Sequence, residues 1–402
     1  MSVMSAPVCS AQEPLTFDSY QAFARATDRS GFDGERHLRF LLLGLFGEVG
    51  SLLSELKKKQ RDTASYVAYA HSSLEETGDV LWYLANVGTA LGLTLGTLAA
   101  HHHQGFGLGG GGLGAVAPVA RFRDLDSQQS LFESPASGEY VERSLLKVAA
   151  RVGRLVRRAN EGLATETTEL GEDLGRLFSA LISAANDAHI SLEAAARRNV
   201  EKVLGRWPIK SVHTPLFDDG EDEDERLPRR LVVTFREKKV LDVNYVFQSL
   251  HGVNVGDRLT DNSADEDDYR FHDVFHLAFA AVLGWSPVLR ALLKLKRKSN
   301  RETDEQQDGA RAIITEEGIS NWVFSHGLRH QAFKNVDSLD FDLLRTIQQM
   351  VRGYEVEACP MWMWEEAIMQ GFTAFRYLKQ HRGGVVVADL LQRTLTAQGA
   401  DA

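Results

Sequence analysis

Two acidic side chains, Glu76 and Asp79, are three residues apart in a stretch, residues 74–84, where apolar residues predominate. Residues three apart share one face of an α-helix, so this spacing places the two carboxylates side by side. Buried carboxylates repel each other unless a cation lies between their oxygens. Hard cations such as Mg²⁺ prefer oxygen ligands and, when only a few carboxylates hold them, also bind phosphates. The pair therefore predicts a metal site suited to a phosphorylated ligand.

A second acidic helix is predicted upstream, at residues 43–57. Glu48 and Glu55 are seven apart and share a face, with Ser51 between them, while leucines at helical spacing supply an apolar side. A basic run that includes Lys58 follows. Two packed helices would bring the four acids together, with cations beside them for an anionic ligand. The alternative is a solvated acidic face paired with the lysines; two acidic helices so close in sequence favour the metal site.

These segments resemble a known family. Residues 15–99 are similar to the MazG-type, all-α nucleoside triphosphate pyrophosphohydrolases, on the stretches 15–21, 44–50 and 75–84. The resemblance implies a helical bundle that uses Mg²⁺, or Mn²⁺, to split a nucleoside triphosphate (ribo or deoxy) into monophosphate and pyrophosphate. The family's acids come as ExxE on one helix and ExxD on the next. In this chain the second acid of ExxE falls on Ser51, which brings no charge.

The resemblance also implies roles for individual side chains. Glu48, Glu76 and Asp79 match the positions of the metal ligands. A carboxylate outside the inner shell, either Glu55 or Glu75, is expected to take the proton of the attacking water. Lys58, in the basic run, is expected to contact the anionic substrate.

Residues 139–208 are similar to the first segment, which predicts an internal repeat. In this second copy, Arg151 and Arg154 stand where the first copy has Glu48 and Ser51. Arginine cannot ligate Mg²⁺, so the second copy is predicted to lack its own metal site. Its guanidinium groups could bind triphosphate oxygens, because their geometry matches that of phosphate. A basic solvated face is the alternative.

The acidic pair of the first copy has counterparts in the second, Glu169 and Glu172. The second copy ends on a helix that resembles the family's last helix, where an asparagine and a lysine meet the substrate; Asn199 and Lys202 match those positions. A glycine-rich tract, residues 101–114, replaces this ending in the first copy. The chain is therefore predicted to hold a pseudo-dimer, with acids in one half and basic residues in the other.

Composition bounds the remaining possibilities. The chain has 402 residues, a net charge of −10 and two cysteines. It has no apolar run of the ~18 residues that span a bilayer, no recognisable secretory signal and no disulfide framework. We therefore expect a cytoplasmic protein that binds neither membranes nor, stably, nucleic acids. It could form a homo-oligomer through apolar helix faces.

The predicted fold class is mainly α: a tandem MazG-like helical bundle followed by an α-rich domain with a small β-hairpin. The predicted organisation, in chain order, is a metal-binding repeat at 15–100, a flexible glycine-rich connection at 101–138, a degenerate repeat at 139–208, an acidic linker at 209–226 and the α-rich domain at 227–402.

The last domain contains a second group of residues that could hold a metal. His272 and His276 are four apart on a predicted helix, a spacing that lets two imidazoles bind one ion. Asp273 is adjacent, and Glu316 and Glu317 lie on a later apolar helix. The alternative is a pair of core histidines with ordinary partners. Residues 209–402 show no family resemblance specific enough to assign.

Three functions follow from these patterns. The leading one is nucleoside triphosphate pyrophosphohydrolysis at the acidic helices. The second is a nucleotide-binding sensor or regulatory protein, because Ser51 and the arginine-bearing copy weaken the catalytic pattern. The third is a metal-dependent hydrolase centred on His272 and His276.

Overall fold

The structure is a computed structural model that describes residues 13–99, 120–129, 138–161 and 167–399. The chain forms two compact units, Met1–Ile209 and Lys210–Ala402. The predicted glycine-rich tract at 101–114 lies outside the described residues.

The first unit is helical throughout its described elements. These are α1 Phe17–Ala26, α2 Gly34–Asp62, α3 Tyr69–Ala90, α4 Phe122–Gln129, α5 Gly138–Glu161, α6 Thr167–Asp187 and α7 Leu192–Arg206. Hydroxyl side chains cap two of them: Thr16 accepts from the Ser19 amide at the start of α1, and Ser191 accepts from the Ala194 amide at the start of α7.

The helices of the first unit pack as two pairs that also contact each other. α2 packs on α3, and α5 packs on α6, while α7 lies against α3 and α5 against α2. At the α2–α3 contact, a Cβ on Gly44 would lie 2.1 Å from the Tyr83 ring, so a side chain here would force the ring to move. The shared evolutionary origin of the two helix pairs stays a prediction.

Helix α4 lies inside the segment that was predicted to be a flexible connection. Its Phe122 is buried against Phe17, with ring centroids 4.7 Å apart. The helix has only two buried apolar residues, Phe122 and Leu125, among its described side chains, and such a short pattern next to a glycine-rich tract did not predict a helix. The described part of the connection is thus an ordered piece of the first unit's core.

The second unit combines helices with an antiparallel sheet. The strands are β1 Arg230–Val240, β2 Val243–Leu250, β3 Val253–Asn254, β4 Gly383–Asp389 and β5 Thr394–Gln398, in the order β3-β2-β1-β4-β5. The predicted hairpin is β1–β2, with Arg236 opposite Phe247. β4 pairs with β1 and places Val386 opposite Val233. The mainly α fold class is confirmed, and the β element is larger than one hairpin.

Helices cover the remainder of this unit. They are α8 Asp273–Ala278, which continues into a π-helical turn at Phe279–Leu283, α9 Pro287–Leu293, α10 Arg301–Gln306, α11 Ala310–Arg329, α12 Phe341–Met350 and α13 Met361–His381. The apolar α13 packs against α8 and against β4 and β5. α8 and α11 are in contact and carry the histidines and glutamates predicted to form a second metal site.

The acidic segment 209–226 is not a fully solvated linker. Asp218 is buried and accepts hydrogen bonds from the Leu227 amide at 2.8 Å, from Arg229 at 2.8 Å and from Arg290 at 2.7 Å. Burial acts to raise the pKa of the Asp218 carboxyl, but the hydrogen bond from the Leu227 amide and the charges of Arg290 and Arg229 lower it. Residues 210–226 therefore belong to the second unit.

Among the described residues, no single helix has the length and apolarity needed to cross a bilayer. The stretches Tyr269–Leu283 and Pro287–Leu293 reach that threshold only when joined, and they are bent by 108° to each other.

Candidate active site

Helices α2 and α3 bring three predicted ligands together. Glu48, Glu76 and Asp79 each offer a carboxylate oxygen, and these oxygens lie within 4.8 Å of one another. We call these residues the three-acid group. Glu76 is buried and the other two are partly buried. Such a set of oxygens is what a hard divalent cation requires.

Burial and nearby negative charge raise the pKa values of ionisable side chains in and beside the three-acid group. Burial, reinforced by the negative charge of Asp79, raises the pKa of Glu48 to about 7. Burial also raises the pKa of Asp79, although Lys202 opposes the shift. The pKa of the neighbouring Tyr83 hydroxyl rises to about 12, through burial and the charges of Glu48 and Asp79. A bound cation would relieve each of these costs.

Helix α7 contributes an amide and an ammonium group to the same place. Asn199 Nδ2 donates to Asp79 Oδ1 at 2.9 Å, and Lys202 Nζ lies 2.5 Å from Asp79 Oδ2. The Tyr20 hydroxyl donates to Asn199 Oδ1 at 3.0 Å and fixes the orientation of its amide. Asn199 and Lys202, which were predicted to bind substrate, thus contact a member of the three-acid group.

Gly78 permits this approach of α7 to α3. A Cβ on Gly78 would lie 2.5 Å from the Ala195 carbonyl oxygen and 2.9 Å from Asn199 Cβ.

We expect Gly78→Ala to lower the free energy of unfolding by roughly 1–3 kcal/mol, because the helices must separate. Chemical denaturation measures this. The matched control is Gly47→Ala on α2, where a Cβ would meet nothing within 4 Å. An equal effect of the two changes would contradict the role assigned to Gly78.

The two carboxylates predicted to act as proton acceptors have different surroundings. Glu75 is buried; its Oε1 lies 3.1 Å from Lys202 Nζ, and its Oε2 lies 3.8 Å from the Arg198 guanidinium. Glu55 is also buried, and it accepts hydrogen bonds from Tyr66 and, at 2.6 Å, from Lys58. Lys202 therefore links Glu75 to the three-acid group, whereas Glu55 has its own cation.

Lys58, for which a substrate contact was predicted, forms an ion pair with Glu55 in the structure. Its ammonium lies on Glu55, and this contact raises the pKa of the lysine. In the part of the chain that the structure describes, Glu55 does not belong to the set of mutually close carboxylate oxygens. The carboxylate of Glu55 therefore lies apart from the three-acid group.

In the second copy, arginines of α5 pair with acids of α6. Arg154 Nε lies 3.2 Å from Asp173 Oδ2, and Arg158 Nε lies 2.8 Å from the same oxygen. Asp173 is buried, and Arg176 reaches it as well at 3.1 Å. Arg154 is thus paired with a carboxylate of the same helix pair, while Arg151 is exposed. The sequence reasoning missed Asp173, although its four-residue spacing from Glu169 was a usable signal.

The second unit brings together all five residues of the other predicted metal site. His272, Asp273 and His276 come from the start of α8 and the turn before it, and Glu316 and Glu317 come from α11. His272, His276 and Glu317 offer ligand atoms within 4.8 Å of one another. Glu316 lies behind this set and accepts from His276 Nδ1 at 2.8 Å.

Comparison with known proteins identifies one of the two units. Residues 212–401 match the family model described as the MazG C-terminal domain. Comparisons with curated proteins and with solved structures gave no match. The matched segment is the unit for which the sequence showed no assignable resemblance, and it contains His272 and His276.

Proposed function

Because this chain is a MazG-type protein, a class whose function is in general of the nucleotide pyrophosphohydrolase type, we propose that it hydrolyses nucleoside triphosphates to monophosphate and pyrophosphate with Mg²⁺. The observation that carries the proposal is the three-acid group with Asn199 and Lys202 beside it. Carboxylates for a cation and cations for phosphate are the two elements that phosphoryl chemistry requires.

The three-acid group fits the implied metal. Three carboxylate oxygens lie close together, and burial, reinforced by the negative charge of Asp79, raises the pKa of Glu48. Glu48, Glu76 and Asp79 would hold Mg²⁺, or Mn²⁺ in its place. The bound ion would supply Lewis-acid polarisation of phosphoryl oxygens and lower the pKa of water.

The other residues have roles that follow from their contacts. Glu75 is the better candidate for the proton acceptor, because Lys202 ties it to Asp79, while Glu55 is held by Lys58 and Tyr66. Lys202 would turn toward the departing pyrophosphate and balance its growing charge. Asn199, oriented by Tyr20, would hold Asp79 in place as Lys202 moves.

A pH dependence follows from the position of Glu48. Its pKa in the metal-free folded state is about 7, above the ordinary value of 4.5. The folded state therefore holds this proton more tightly than the unfolded state, and metal-free stability falls as pH rises from 4.5 to about 7. We expect Glu48→Gln to flatten this fall in the Tm of the metal-free protein and to remove the stabilisation given by Mg²⁺.

Thermal melts between pH 5 and 8, with and without Mg²⁺, measure both effects. The matched control is Glu35→Gln on the same helix, where the carboxylate is exposed and paired only on the surface with Arg39. This control should leave the pH profile and the Mg²⁺ response unchanged. A Glu48→Gln protein that Mg²⁺ still stabilises to the full extent would contradict the assignment of Glu48 as a ligand.

The proposed reaction is tested by a panel of ribo- and deoxynucleoside triphosphates with Mg²⁺ or Mn²⁺, in which pyrophosphate and phosphate are measured separately. Pyrophosphate release in step with monophosphate is the expected result. Phosphate release alone would overturn the proposal, because it indicates cleavage at a different bond.

A second candidate function is a nucleotide-binding sensor. The observation that favours it is the ammonium of Lys202 on Asp79, which already occupies an oxygen that a metal would need, while Ser51 adds no charge. Calorimetry with prolonged incubation separates the two functions. Tight nucleotide binding without any product supports the sensor and excludes the enzyme.

A further inference from the structure

His276 is held in a way typical of a metal-binding histidine. Its Nδ1 lies 2.8 Å from Glu316 Oε1, and Glu316 also accepts from the Ser286 hydroxyl at 2.7 Å and the Val288 amide at 2.8 Å. Both His276 and Glu316 are fully buried. Because the Glu316 carboxylate acts as an acceptor for both the hydroxyl and the amide, it also accepts from His276, whose Nδ1 then carries the proton. Glu316 therefore fixes the ring and leaves Nε2 pointing away from it.

The other ring nitrogen of His276, Nε2, has no hydrogen bond within the described ranges to satisfy it. This atom is buried and has no hydrogen-bond partner among the described residues. The nearest carboxylate oxygen given for it is Glu317 Oε2, at 3.5 Å. A buried imidazole nitrogen without a partner is costly unless something binds it.

His272 is oriented in the same sense. Its Nδ1 lies 2.9 Å from the carbonyl oxygen of Tyr269, and a carbonyl only accepts, so Nδ1 carries the proton. The ring of Tyr269 stacks on the imidazole at 4.0 Å and fixes its plane. The lone pair is thus on Nε2, which lies 3.1 Å from Asp273 Oδ1 and 3.9 Å from Glu317 Oε2.

We propose that His272, His276 and Glu317 bind one divalent transition-metal ion, such as Zn²⁺, Mn²⁺ or Fe²⁺, with Asp273 as a further carboxylate at the site. Their ligand atoms lie within 4.8 Å of one another, and tetrahedral ligands of Zn²⁺ lie about 3.4 Å apart, so a small contraction closes the site. Two imidazoles with carboxylates select transition metals over Mg²⁺. This inference does not rest on the nucleotide chemistry proposed for the acids of α2 and α3.

The site has access to solvent on one side. The Glu317 side chain is 43% exposed, whereas those of the two histidines are 8% and 0% exposed. An ion bound here would keep positions for water or for an oxygen of a substrate, which distinguishes it from a closed structural site. The site is therefore of the water-accessible kind that supports hydrolysis or Lewis-acid catalysis.

Co²⁺ is the probe for this site, used on the full chain with Glu76→Gln to weaken metal binding at the three-acid group. We expect one equivalent to bind, with visible ligand-field bands and two paramagnetically shifted imidazole N–H signals in proton NMR. Glu317→Gln, which alters a partly exposed side chain, should weaken binding at least about tenfold, and His272→Gln should remove one shifted signal.

The matched control is the double variant His326→Gln, His330→Gln. These histidines are also four apart, their rings lie 4.8 Å apart, and they are more exposed. This change should leave Co²⁺ binding and both N–H signals unaltered. Absence of binding by the parent protein overturns the proposal. So does binding that survives both Glu317→Gln and His272→Gln at full strength, or binding that the control abolishes.

Discussion

Pyrophosphate release is expected to fall by roughly 10²–10³-fold or more when Glu76 is replaced by glutamine, and by a similar factor in Asp79→Asn. Each change keeps the shape of the side chain and removes one of three close carboxylates. The loss of one negative charge lowers the affinity for the cation. With the cation bound less tightly, the negative charge that develops on the phosphoryl group in the transition state is stabilised less. Steady-state assays over a range of Mg²⁺ concentrations measure the effect.

Two features make this test specific. The first is that both changes remove a carboxylate from a crowded acidic group, so the metal-free protein should keep its fold; far-UV circular dichroism checks this. The second is the matched control Glu172→Gln, at the position that aligns with Asp79 in the predicted second copy. Glu172 is exposed and pairs with Arg176 at 2.9 Å, so its loss should leave turnover unchanged. Full activity in both Glu76→Gln and Asp79→Asn would exclude the three-acid group as the centre of the reaction.

The three-acid group could be predicted because helical periodicity is a local signal. Glu76 and Asp79 share a face by their spacing alone, and Glu48 lies on a strongly amphipathic helix. The contact of Asn199 and Lys202 with Asp79 is different, since it joins residues more than a hundred positions apart. No period or spacing predicts such a contact; the family resemblance named Asn199 and Lys202 as residues that meet the substrate, and the structure adds their contact with Asp79.

The missed features share a physical cause. The acidic run around Asp218 has the composition of a solvated linker, yet Arg290, 72 residues further along the chain, pairs with Asp218 in the core. β4 begins within two residues of the end of α13, and its glycine pair, Gly383 and Gly384, with the valines that follow is only a short strand signal; its pairing with β1, far earlier in the chain, makes it a strand. In both cases a distant partner decides the structure, and the local sequence does not identify that partner.

Lys202→Met is expected to have opposite effects on two quantities: tighter Mg²⁺ binding and lower kcat. Lys202 Nζ lies 2.5 Å from Asp79 Oδ2 and 3.1 Å from Glu75 Oε1, so its charge competes with a metal for the same acids. Removing the ammonium leaves Asp79 to the metal and strengthens that interaction. The same change deprives the departing pyrophosphate of a cation, and we expect kcat to fall by roughly 10²-fold.

Titration calorimetry with Mg²⁺ alone and steady-state kinetics at saturating Mg²⁺ measure the two effects separately. Methionine keeps the length of the apolar stem, so packing of α7 on α3 is largely retained. The matched control is Lys57→Met on α2, where the side chain is exposed; neither quantity should change there.

The direction of the Mg²⁺ result decides what Lys202 does. A lysine that only bridges α7 to α3 would, when removed, loosen the site and weaken Mg²⁺ binding together with turnover. A lysine that stands in for the cation and then moves to the phosphates gives tighter metal binding with slower turnover. In a sensor, Lys202→Met would strengthen Mg²⁺ binding and weaken nucleotide binding, with no product before or after the change. Weaker Mg²⁺ binding in Lys202→Met would therefore contradict the exchange of Lys202 between Asp79 and substrate, whichever of the two functions the first unit performs.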